Sequence, residues 1–416
     1  MSLTPRGLGL LAVVALLALV LPGPLVVVLF VLACAVCLTD AWLVRSVPAV
    51  SVRVPPIVSR GVQTTVRLSV DPAPGVMVRQ VGTPDVRIEP DTGAGGLSAA
   101  LTAIRRGRHV LPRPATVTDG PLGLGRWYHR SGDETTITVY PDMPAARRLA
   151  TEVRLGRFGD STRRSRGPLG LGTELEAIRE YLPDDDIRQV NWRATARLAT
   201  PMSNTYRIEQ EREVVVLLDT GRLMASPVDD GTDRTRLDVA VDAAAALAAV
   251  ANVVGDRIGL VAFDSAIRRR VRSRRDGGDV VVTAIHDLEP TGAESDYELA
   301  FRTVAHQKRA FVLILTDLME ETAARPLIEA MPILARHHAV AVAGVTDPAV
   351  VAALRTPARA VEDAFLTAVA VDVETSRRRA AIRLGGYGTT VIDVAPRLLP
   401  GRCVEAYLRA KRRARL

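Results

Sequence analysis

The chain has 416 residues, 48% of them hydrophobic, which leaves room for a membrane segment and two folded domains. Its formal net charge is +8, nearly all of its basic side chains are arginine, and aromatic residues make up only 4%. Aromatics are scarce among the basic residues, which speaks against nucleic acid held by base stacking and favours a solvated surface or an anionic membrane as the setting for the charge.

Residues Gly7 to Val44 are almost purely apolar, with Asp40 as the one acid near the end of the run. The run is too long for a single span of about 20 residues. Leu21-Pro22-Gly23-Pro24 breaks it, because two prolines around a glycine stop a helix and favour a tight turn. Residues 1–46 therefore read as a transmembrane helical hairpin, with spans at about Gly7–Leu21 and Leu25–Val44. Arg6 precedes the first span, Arg45 follows the second and the turn is uncharged, so the positive-inside rule places both ends in the cytoplasm. Cys34 and Cys37 lie inside the apolar run, where cysteine is an ordinary lipid or helix contact. Cys403 alone lies outside it, so no disulfide framework is expected.

Residues 47–145 read as a β-rich, small sandwich-like domain. Val50-Ser51-Val52-Arg53-Val54, Thr65 to Val70, Val86-Arg87-Ile88 and Thr135 to Val139 alternate with a period of two, and Gly, Pro and Asp clusters separate them. The hexapeptide Gly120-Pro121-Leu122-Gly123-Leu124-Gly125 recurs at Gly167 to Gly172. Its glycine spacing is not that of a phosphate loop and its flanks do not repeat, so both copies read as turns that match by coincidence.

Residues 146–212 read as a linker that also carries a distinctive signature segment. From residue 213 to 416 the pattern becomes α/β. Val214 to Leu218, Arg257 to Phe263, Phe311 to Thr316 and Ala339 to Val345 are apolar runs expected of buried parallel strands, and a long Ala-rich helix is expected near Arg236–Val253. These elements predict a doubly wound parallel sheet, in which ligands bind at the carboxyl ends of the strands. Asp219 and Asp317 stand at two such ends and could hold a hard cation or cap a turn.

Arg179-Glu180-Tyr181-Leu182-Pro183-Asp184-Asp185-Asp186-Ile187-Arg188-Gln189-Val190-Asn191-Trp192-Arg193-Ala194-Thr195-Ala196-Arg197 resembles the signature of bacterial proteins grouped as domain of unknown function 58. Asp184 stands where that family has Gly. Arg106-Gly107-Arg108, Asp119 to Leu124 and Val139-Tyr140-Pro141 also resemble the family's β-region. The resemblance implies a bacterial inner-membrane, multi-pass protein whose cytoplasmic body ends in a von Willebrand factor A-like domain. It also implies a MoxR-type AAA+ ATPase as partner. In such domains a metal-ion-dependent adhesion site begins Asp-x-Ser-x-Ser. Here Asp219 remains, Gly221 and Leu223 replace the serines, Thr291 is the nearest match for the later Thr, and Asp317 matches the final acid. No firm cofactor is expected, and any Mg2+ on this degenerate site should bind weakly, on the order of millimolar.

In the signature, Asp184, Asp185 and Asp186 near Arg188, Arg193 and Arg197 suggest a charge-assisted network, and Trp192 beside Asn191 is expected to anchor the segment on the sheet. Tyr181, Pro183, Asp184, Asp185, Arg188, Asn191, Trp192 and Arg197 are the candidate partner-docking residues. The expected function is a membrane-anchored protein-binding or assembly module, not an enzyme and not a nucleic-acid binder. The alternative is a metal-dependent hydrolase built on Asp219, Asp317 and Glu294, against which the six scattered histidines count. The topology is testable: a reporter at the C-terminus should be inaccessible from outside intact cells, and labelling there would overturn the orientation.

Overall fold

The computed structural model describes residues 1–71, 75–157, 169–182, 187–207, 212–317 and 321–412. The chain divides into two compact units, Met1–Asp142 and Met143–Leu416.

The first unit opens with helices α1 (Pro5–Leu17) and α2 (Gly23–Leu43), which pack together. Pro22 and Pro24 start α2, where a missing N–H costs nothing. The β-region after them forms three small sheets. One orders Ala49–Arg53, Gln63–Asp71, Gly96–Ala103 and Val86–Glu89. A second orders Ile57–Ser59, Thr135–Tyr140 and Gly107–Leu111, and a third is built around Val76–Arg79, Ala115–Asp119 and Gly125–Arg130. Gln63–Asp71 shows why the alternation is legible: Val66, Leu68 and Val70 point inward while Thr65, Arg67 and Ser69 point out. Val66, Val78, Leu101 and Ile137 join in one core shared by the three sheets.

Asp40 explains the 120–125 hexapeptide. Its carboxylate is 1% exposed and accepts backbone N–H groups from Leu122 at 2.8 Å, Leu124 at 2.8 Å and Gly125 at 2.9 Å. The Thr4 hydroxyl holds the same loop from the other side by donating to the Gly123 carbonyl at 2.5 Å. A Cβ at Gly120 would lie 2.3 Å from the Asp40 carboxyl carbon, so only glycine lets the loop close on the acid. The loop is thus a nest of N–H groups around a carboxylate at the end of an apolar helix. The second copy begins outside the described residues, and its Leu169 to Gly172 part is strand, so the shared Leu-Gly-Leu-Gly takes two conformations.

The second unit is mixed α/β. Its main sheet contains β1 (Glu213–Asp219), β2 (Arg257–Phe263), β3 (Ile267–Arg274), β4 (Phe311–Leu315), β5 (Ala339–Val345) and β6 (Thr390–Val394) in the order β3-β2-β1-β4-β5-β6. All neighbours run parallel except β2 and β3. Val215, Leu217, Val312, Ile314 and Val342 face a layer that includes Tyr297, Phe301, Leu327, Met331 and Leu384. The alternate residues of β1 point to the other side, where the helix Arg236–Val254 packs. That helix has a Thr235–Asp238 capping box and is buried along almost its whole length. Ahead of this sheet in the chain, Met143–Arg154 is a helix packed on Arg236–Val254, and Leu169–Glu180 pairs with Met202–Arg207 as an antiparallel ribbon.

Replacing Asp40 by Ala would leave three N–H groups without their acceptor, each worth about 1.5–3 kcal/mol as a hydrogen bond to a charge. Amide exchange at Leu122, Leu124 and Gly125 should rise at least about tenfold while Val66 and Leu101 stay protected. Equal exchange in D40A and the parent would show that the clamp does not hold the loop.

Candidate functional site

The strand-end acids are the first candidate. Asp219 closes β1 with both oxygens fully engaged. One accepts the Gly221 N–H at 2.8 Å and the Ser295 hydroxyl at 2.5 Å; the other accepts Thr316 at 2.6 Å and Tyr297 at 3.0 Å. Burial and the neighbouring Asp219 charge push the Tyr297 phenol well above its usual range, so it remains a neutral donor. Gly221 sits where a side chain would collide with Ser295, since a Cβ there would lie 2.1 Å from its hydroxyl oxygen. The hydroxyl missing from position 221 is therefore supplied from a different loop.

Thr291 does not reach toward Asp219. Its hydroxyl donates to Asp264 at 2.9 Å. Asp264 also accepts the Arg268 guanidinium at 2.5 Å and the Ala266 N–H at 2.9 Å. Burial opposes ionisation of Asp264, but these donors outweigh it and hold the carboxyl below its ordinary range.

Asp317, after β4, lies between two buried arginines. One oxygen pairs with Arg236, and the other accepts from Arg377 at 3.1 Å. Arg236 also reaches Asp347 at 3.3 Å, and Arg377 reaches Asp393 at 3.2 Å and the Val345 carbonyl at 2.9 Å. These residues were not legible as partners, because 60 to 81 residues of chain separate the two arginines from Asp317.

Mg2+ takes six oxygen ligands, several of them usually waters, and is held by one or two protein carboxylates. Asp219 has no lone pair to spare after four donors, Asp317 already faces two guanidiniums, and Thr291 is committed to Asp264. The expected donors Asp219, Thr291 and Asp317 are each engaged by protein groups in this structure. Among the described residues no group of three His, Cys, Asp or Glu side chains is placed to hold a metal. Glu294, the third acid of the hydrolase alternative, is exposed and pairs with Arg222 at 2.8 Å.

The signature segment is the second candidate. Pro183, Asp184 and Asp185, together with Asp186, lie outside the described residues, so the expected acid–arginine network is not on view. Arg193 and Arg197 are exposed, and Arg188 falls in the short turn Ile187–Gln189. Asn191 organises the helix after that turn. Its side-chain carbonyl caps the helix Trp192–Leu198 by accepting the Ala194 N–H at 2.9 Å, its amide donates to Asn204 at 2.8 Å, and its backbone N–H donates to Met202 at 2.8 Å. The Tyr181 N–H bonds the Pro201 carbonyl at 2.8 Å, closing the other end.

Trp192 is not a buried anchor. It is 70% exposed, in the first turn of a seven-residue helix whose position is fixed by Asn191. Ile187 is 70% exposed, and Leu182, Leu198 and Ile178 are exposed as well. Trp192 and the aliphatic side chains Ile178, Leu182, Ile187 and Leu198 are thus exposed, with Arg193 and Arg197 also exposed.

The family whose sequence profile matches residues 177–385 is described as "Protein of unknown function DUF58". Uncharacterized proteins of Mycobacterium tuberculosis (strain H37Rv) and Mycobacterium bovis are each 29% identical over 187 residues, which is 43% of this chain and 56% of theirs. The match therefore spans about half the length of those relatives. A superoxide reductase (neelaredoxin) from Ignicoccus hospitalis aligns over 23% of this chain and 83% of its own at 14% identity, and its TM-score of 0.15 is too low to carry an argument.

Arg377→Met should strand part of a buried ion network, at a cost of about 3–5 kcal/mol. That lowers the melting temperature of the second unit by roughly 10 °C. Mg2+ and EDTA should leave the parent's melting temperature unchanged. A rise with Mg2+ that vanishes in Asp219→Ala would restore the metal site.

Proposed function

The chain belongs to the DUF58 family, and on that premise we propose that it is a membrane-anchored protein-binding module whose signature segment docks a partner protein. The observation that carries this reading is the exposed apolar set of Trp192, Ile187, Leu182 and Leu198, held on a capped, hydrogen-bonded segment inside the region shared with the family. A soluble surface that displays a tryptophan and several aliphatics in one short segment is built for contact, and tryptophan is the residue most enriched among binding hot spots. The partner we assign is a MoxR-type AAA+ ATPase, as the family resemblance implies.

Three further features support the reading. The strand order β3-β2-β1-β4-β5-β6, with only the β3 edge antiparallel, is compatible with a von Willebrand factor A-like domain that has given up its cation. The strand-end acids that a hydrolase would use are committed to Arg236, Arg377 and three hydroxyl groups. The helix α2 has 21 residues with mean hydropathy 2.5, enough to cross a bilayer by length and composition. Arg236–Val254 passes the same test but is a buried core helix, 72% enclosed. At 13 residues α1 is about 20 Å long, so it spans only if the Ala18 to Pro22 turn adds to its reach. In this reading the hairpin anchors the chain in the bacterial inner membrane and its soluble units are cytoplasmic.

The test is capture of the ATPase by the detergent-solubilised full chain and by Trp192→Ala. Loss of a hot-spot side chain costs about 2 kcal/mol or more, so capture should fall roughly thirtyfold with the melting temperature unchanged. Undiminished capture, or a melting temperature that drops as for a core truncation, would contradict the docking role.

A further inference from the structure

The edge strand β3 carries a charge that the sheet does not use. In the eight residues Ile267–Arg274, Arg268, Arg269, Arg270, Arg272 and Arg274 are all exposed. Arg268 is matched by Asp264 at 2.5 Å and Arg269 by Asp287 at 3.3 Å. Arg270, Arg272 and Arg274 have no carboxylate partner among the described residues. Three uncompensated guanidiniums therefore sit within about 13 Å of strand. The strand pairs only with β2, so its outer edge is open among the described residues.

We propose that β3 is a contact surface for the headgroups of anionic phospholipids. The proposal rests on the membrane-anchored reading, because a tethered body meets the bilayer surface continually. Two features of the strand favour lipid over other polyanions. Its register with β2 shifts between Ile258 and Leu260, opposite the stretch from Val271 to Arg274, so Arg270, Arg272 and Arg274 are not evenly spaced along the sheet. Fluid headgroups rearrange to meet such a pattern, whereas a duplex presents its phosphates at a fixed repeat. The strand also has no aromatic side chain on which a base could stack. Arginine suits this task because its planar fork binds phosphate oxygens in pairs and never loses its charge.

The experiment uses the full chain in nanodiscs of phosphatidylcholine, with and without phosphatidylglycerol, and reads amide exchange in peptides covering residues 265–277. Three arginines beside an anionic surface favour contact by about a hundredfold, so exchange should slow at least about tenfold in the anionic discs. Salt near molar should reverse the effect, since the Debye length there is only about 3 Å. The triple variant Arg270→Gln, Arg272→Gln and Arg274→Gln should show no lipid-dependent protection while peptides from β1 and β4 remain protected, which shows that it is folded. Equal exchange in the two kinds of disc overturns the inference and reduces the arginines to guards against edge pairing. Protection that appears in neutral discs on addition of polyglutamate, and not with phosphatidylglycerol, overturns it in favour of an acidic protein segment. A chain that fails to enter either disc overturns the anchoring reading, and this one with it.

Discussion

The buried carboxylate of Asp317, shared between Arg236 and Arg377, ties the second unit together. Arg236 comes from the long helix behind β1, and Arg377 from the 26-residue helix Val361–Gly386. Asp347 and Asp393 extend the network to the ends of β5 and β6. Elements far apart in sequence thus meet at one edge of the sheet through charge, where the apolar core gives way to solvent. Two buried guanidiniums without their acids would each cost several kcal/mol, so the arrangement is all or nothing. It also decides the chemistry of that edge. Positive charge is already built in, and a bound cation would have to compete with it.

The neighbouring Asp219 is satisfied in the same way by neutral donors. Three hydroxyl groups and one N–H engage it, and Gly221 keeps the space clear for Ser295. At this edge Asp219 is held by neutral donors and Asp317 by guanidiniums. The signature segment differs: polar ties through Asn191 hold its backbone and leave Trp192 outside.

Much of this was legible in the sequence. The four apolar runs became β1, β2, β4 and β5, and the Ala-rich helix ends within a residue of its expected limit. The antiparallel ribbon Leu169–Glu180 with Met202–Arg207 lies in the stretch read as a linker, and two strands of the main sheet escaped as well. β3 is five arginines in eight residues, and β6 has only a short apolar stretch, so neither carries a buried-strand pattern. The acids at positions 219 and 317 were visible, but their partners were not, because Ser295, Tyr297, Arg236 and Arg377 reach them only through the fold. Trp192 misled for a related reason. Composition says that tryptophan tends to be buried, while the capping bonds of Asn191 and the register of the ribbon decide which way it faces. Asp40 and the 120–125 loop are each conspicuous in the sequence, and the distance between them hides that one binds the other.

The exposed face of the signature segment is, in this view, where a partner sits. A photo-crosslinking amino acid placed at position 192 in the full chain, and irradiated in intact cells, tests it most directly. A covalent adduct with a AAA+ ATPase is expected from position 192 and none from the exposed control position 253. Adducts at the control and not at 192, or no adduct at either, would contradict it.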